Sequence, residues 1–220
     1  TVIDGTIPAF IKSTHLPITL QGAQYRWLVN EATDFSDKTN ASEWGIITVS
    51  HRMQGAAAKI IGACNAGVNV TIASEETIGV DADGKDITEY IEHNCTYAEQ
   101  GPIKWIAAFV GDDHYDKLDV MELNGFTIPK IHILNASSAR DNTSVPTADN
   151  GVLMPPVKVF GTENDTSFDI VTIDKSEHRI YLTRYGARSY AYNTDTSTFD
   201  KIVARTRIID YTTATYIKEF

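Results

Sequence analysis

Two apolar runs constrain this 220-residue chain more than anything else in it. WGIITVS, residues 44–50, and IKWIAAFVG, residues 103–111, are short, continuous and rich in β-branched and aromatic residues. Such runs fit strands buried on both faces, as in the parallel part of a layered α/β domain. Each run ends in a polar cluster: Ser50-His51-Arg52 after the first, Gly111-Asp112-Asp113-His114-Tyr115-Asp116 after the second. In open α/β sheets, ligands bind beyond the carboxyl ends of strands, where loops converge. Two such ends, each with a histidine, make one site if the strands are neighbours. Imidazole and carboxylate together suit Zn, Mn and Fe. His51, Asp112 and His114 are the candidate metal ligands. Arg52, Asp113 and Asp116 are candidates to touch a substrate or support those ligands. The plainer reading makes His51 a structural histidine and the acids a solvated turn.

The rest of the chain fills in the layers. Thr19 can cap a helix over residues 20–32, with Leu20, Ala23, Trp27 and Leu28 on one stripe. GAAAKIIGACNAG, residues 55–67, reads as a helix stopping at Gly67. Residues 68–100 are ambiguous, with DITEYIEHN read as helical and Asp86 as its cap. LDVMEL and FTIPKIHIL flank Asn124-Gly125, a strong hairpin signal. Residues 136–166 are long and polar, as functional or mobile loops are. SFDIVTID and RIYLTRYG make a second hairpin with its turn from Asp174 to His178, and the last stretch alternates as strand does. Strands among helices early and hairpins late predict an α/β layered domain, with no composition break marking a second one.

Charge and cysteine usage narrow the function. The net charge is −10 and the pI about 5.0. A nucleic-acid binder needs the opposite sign to displace counterions from phosphates, and so does a protein that sits on an anionic membrane. No apolar run approaches the ~18 residues of a membrane span, so the chain reads as soluble. Cys64 and Cys95 have no CxxC context and read as reduced core residues. His15, His93, His132 and His178 have no convergent neighbours in sequence and read as structural or surface residues. There is neither a nucleophile elbow nor a P-loop. The chain opens Thr1-Val2-Ile3 without methionine, as a piece of a longer polypeptide would.

WGIITVSH, then AAFVGDDHYDKL, then FDIVTIDKSEHRIYLTRYGA resemble, in order, the C-terminal half of calcineurin-like metallophosphoesterases, most closely those of phages and low-GC bacteria. In that family one strand ends in Ser-His, a later one in Gly-His-x-His followed by Tyr-Asp, and a late hairpin carries the Ile-Tyr-Leu-Thr-Arg pattern. The helix LQGAQYRWLVNEATDFSDK resembles the one that precedes the Ser-His strand. The resemblance implies a layered sandwich of mixed β-sheets flanked by helices, here only its C-terminal half. It covers about residues 15–190, and residues 191–220 form an extension, β or an assembly contact. It implies a dinuclear centre of Mn, Fe or Zn whose ions lie about 3.5–4 Å apart and which hydrolyses a phosphate ester. His51 matches the Ser-His ligand and His114 the second histidine of Gly-His-x-His. Asp112 stands where the first should be. The family's Asp-x-His, Gly-Asp-x-x-Asp and Gly-Asn-His motifs have no match here. They would come from an upstream segment or a partner chain. The alternative is an inactive structural or attachment module that joins the structural proteins of a phage particle.

Overall fold

A computed structural model describes residues 22–53, 55–111, 116–133, 167–186, 190–193, 198–202 and 205–219. The chain divides into two compact units. One is Thr1–Ser42 with Gln54–Pro102, the other Glu43–Met53 with Ile103–Phe220. The chain leaves the second unit after one strand and returns to it by the next. No linker-like composition marks either passage, so the division is not legible in the sequence.

The second unit holds two four-stranded sheets. In the first, β1 (Gly45–Ser50) and β4 (Lys104–Val110) are parallel neighbours. β6 (Phe126–His132) lies parallel on the other side of β4, and β5 (Lys117–Leu123) closes the order β1-β4-β6-β5. β4 is central, and every residue from Trp105 to Val110 is buried. That is why it reads as an unbroken apolar run. β1 corrects the expectation drawn from its equally apolar sequence. It is an edge strand, with Ile47 44% and Val49 81% exposed, because only β4 pairs with it among the described residues. The β5–β6 turn is as expected: Asn124 (φ 51°) and Gly125 (φ 79°) both take the left-handed conformation that a two-residue type I′ turn requires. Pro129 lies where β6 pairs with β5 alone, since the ladder to β4 begins at Lys130. Its missing N–H therefore costs that ladder nothing.

The second sheet is antiparallel, in the order β12 (Thr215–Glu219), β11 (Thr206–Asp210), β8 (Arg179–Gly186), β7 (Ser167–Asp174). Strands β9 (Tyr190–Asn193) and β10 (Thr198–Ile202) form a separate pair. β11 and β12 are thus part of the same sheet as the β7–β8 hairpin. Two of its turns share one device. Asp174 accepts the Ser176 N–H and hydroxyl at 2.9 and 2.6 Å, and Asp210 accepts those of Thr212 at 2.7 and 2.6 Å. Each turn then closes through a left-handed residue, His178 (φ 56°) or Ala214 (φ 52°). The two sheets meet over one core of Ile106, Ala107, Phe109, Ile131, Ile180, Leu182, Ile209 and Tyr211.

The first unit is built of α1 (Gly22–Trp27), continued by a π-helical turn at Leu28–Ala32, with α2 (Gly55–Ala66), α3 (Tyr97–Gln100) and a two-stranded ribbon. α2 ends as expected. Gly67 adopts φ +64°, and its N–H and that of Val68 reach back to the Cys64 and Ala63 carbonyls at 3.1 and 3.0 Å. The reading of DITEYIEHN as a helix is overturned. Asp86–Cys95 is strand β3, paired antiparallel with β2 (Val70–Val80) around Asp81–Lys85. Ile91, His93 and Cys95 alternate inward, and this period of two outweighs the helical one. Asp86 pairs with Val80 and caps nothing. Cys64 and Cys95 are both free and buried, as their sequence context suggests.

Candidate functional site at the strand ends

The carboxyl ends of β1, β4 and β6 lie side by side. Ser50 is opposite Val110, and Val110 opposite His132. The Gly111 N–H donates to the His51 carbonyl at 3.2 Å, and that of Ile133 to the Val110 carbonyl at 3.0 Å. The two polar clusters therefore start from adjacent, hydrogen-bonded strand ends. The His51 and Arg52 side chains are exposed there. Asp112, Asp113 and His114 lie outside the described residues, so their distances to His51 are not part of the geometry.

Asp116 is no solvated acid. It is 1% exposed and accepts from the Arg184 guanidinium at 2.6 and 3.1 Å. Arg184 also donates to Asp169 at 2.7 and 2.9 Å, and Arg207 reaches Asp169 at 2.8 Å and Asp116 at 3.4 Å. Two arginines and two aspartates thus neutralise one another in the interior. Burial would favour the uncharged Arg184, but the two carboxylates hold its pKa above the ordinary arginine value. The cluster ties the end of the acidic loop to β7, β8 and β11. Gly111, bonded to His51, and Asp116, held by the arginines, are thus both anchored.

In the same register row as Val110, His132 is 2% exposed and its Nε2 lies 3.0 Å from Asp119 Oδ2. Lys117 Nζ is 2.7 Å from Asp119 Oδ1. Burial would raise the Asp119 pKa, but the bonds from His132 and Lys117 outweigh it and bring it down to about 2. This trio was missed in the sequence, although the signal was present. An Asn-Gly turn sets Lys117 opposite His132, with Asp119 one diagonal away.

Among the described residues no group of three histidine, cysteine or acidic side chains could hold a metal ion. His51 supplies one exposed imidazole at the strand ends. Arg52 adds a positive charge suited to an anion.

A second concavity, of about 450 Å³, lies in the first unit and is lined by residues including Asn30, Asp34, Asn94, Thr96, Glu99 and Gln100. Much of its polar capacity is already used. Asp34 holds Ser36, Gln100 holds the Phe35 N–H and the Thr33 carbonyl, and Asn94 accepts from Thr71.

No protein-family model matches this chain, and neither does any curated protein or solved structure.

Proposed function

We propose that this chain is the C-terminal part of a metal-dependent phosphoesterase domain. His51, Asp112 and His114 hold a divalent Mn, Fe or Zn ion, and an upstream segment or a partner chain supplies the remaining ligands. The observation that carries this reading is the Gly111-to-His51 hydrogen bond, which starts the two histidine-bearing loops from one point. A bound metal of this kind supplies a Lewis acid for the phosphoryl oxygens and a hydroxide at neutral pH. The chain's own part is positional. β1 and β4 hold the bases of both loops, the Asp116 cluster holds the far end of the acidic loop, and Arg52 favours the approach of a phosphate.

The test is metal content by mass spectrometry on wild type, His51→Ala and His114→Ala, with a generic phosphodiester assay on the same samples. Stoichiometric metal that is lost in both variants is the expected result. A wild-type protein without metal, or one that keeps its metal in both variants, overturns the reading.

A second reading, an inactive module of a phage particle, draws support from one observation. The β2–β3 ribbon exposes apolar side chains of the kind that assembly contacts cover.

A further inference from the structure

The outer half of the β2–β3 ribbon is a surface in search of a partner. Ile78 is 57% exposed, Val80 60%, Ile87 44% and Tyr90 73%. By strand alternation Ile87 shares a face with Glu89, Ile91, His93 and Cys95, while Val80 and Tyr90 lie on the other face. Nearer the base of the ribbon that face is covered. The Tyr25 ring stacks on His93 at 5.7 Å, Arg26 pairs with Glu76, and His93 and Glu76 are both buried. Beyond Glu76 the cover stops. Ile78 is the extra residue of a bulge and lies beside the Gly79–Ile87 pair, so beyond the Glu76–Glu89 pair two isoleucines stand exposed to solvent.

Both edges of the ribbon also lack a paired strand among the described residues. An isolated two-stranded ribbon is marginally stable in water, and its unpaired edges invite an added strand.

Charge decides which strand. Between Glu75 and Glu92 there are seven acidic residues and one basic residue, Lys85. Glu75, Asp81, Asp83, Asp86, Glu89 and Glu92 are exposed. A second copy would bring the same acids against these and be repelled, as would nucleic acid or an anionic membrane. An oppositely charged strand would be attracted across both the edge and the apolar face.

We infer that the β2–β3 ribbon is a docking arm for a basic protein segment, which adds as an extended strand with alternating cationic and apolar side chains. This holds whether or not the strand ends bind a metal.

The probe is a fluorescein-labelled peptide of alternating lysine and valine, read by anisotropy against the full chain. The controls are a peptide of the same composition in two blocks and a glutamate–valine alternation. Two variants change exposed side chains only: Asp83→Lys with Asp86→Lys and Glu89→Lys, and Ile78→Ser with Ile87→Ser. Thermal unfolding of each checks that it folds, so the failure of one still leaves the other. Saturable binding of the alternating peptide, at least tenfold weaker to either variant and to the block control, is expected. No binding by wild type, equal binding of the block peptide, or binding unchanged in the charge-reversed protein overturns the inference. So does sedimentation that shows a dimer abolished by Ile78→Ser with Ile87→Ser, which would make a second copy the occupant.

Discussion

Asp116 shows how far a residue's role can lie from its sequence neighbourhood. In the sequence it closes an acidic run. In the fold it is one of four charges buried together, and its partners Arg184 and Arg207 come from a different sheet. Removing one member strands the others in the interior, which typically costs about 3–5 kcal/mol. Asp116→Ala should lower stability by that order in urea unfolding, and Asp116→Asn, which keeps an acceptor, by less. Equal stability of Asp116→Ala and wild type would show that the cluster contributes no net stability.

Asp119 leads to a pH prediction. Its carboxyl titrates near 2 in the fold and near about 3.9 when unfolded. A lowered acid pKa stabilises the fold above the unfolded value, and that stability is lost as pH falls from about 4 to about 2. With Asp119 about a quarter exposed, the effect is on the order of 1–2 kcal/mol. The urea midpoint of Asp119→Asn should therefore fall below wild type at pH 7 and converge on it near pH 2.

At the scale of elements, structure is legible in the sequence wherever one conformation has a single local cause. Asn124-Gly125 has only one common use between two alternating strands, and the Asp174–His178 turn sits where the alternation breaks. The ribbon strand Asp86–Cys95 differs from the helix its sequence predicts because DITEYIEHN satisfies both periods over so short a span. Pairing with β2, which lies outside that window, decides between them. The glycines separate local from tertiary demands. Gly84 has φ +80° with open space around it, whereas at Gly67 (φ +64°) a Cβ would meet the Pro102 nitrogen at 2.9 Å. Gly84→Ala should cost about 1 kcal/mol, from the left-handed backbone alone. Gly67→Ala should cost more, because backbone must move as well. Thermal melts of the two variants side by side test this, and equal losses would mean that the Pro102 contact relaxes freely.

For the whole molecule, the cysteines report on the first unit. Cys64 is wholly buried and its thiol is pushed up to about 12 by burial, against a hydrogen bond from Gln100. Cys95 is raised for the same reason. Neither should react with a disulfide reagent at pH 8 in the native protein, and both should react in denaturant. Rapid native labelling would show that the first unit opens readily. Among the described residues no helix is long and apolar enough to cross a membrane. The sequence alone determined the central strand, the two hairpin turns and the end of α2, because each depends on residues close together in the chain. It also marked the strand-end clusters as the place to look, since apolar runs that stop abruptly in polar residues are a local pattern. Only the tertiary structure decided that β1 is an edge strand, that Asp116 is held by arginines of another sheet and that His132 pairs with Asp119. It also divided the chain into two units. Those outcomes depend on which segments lie beside one another, and solvent exposure and ion pairing are properties of neighbours in space.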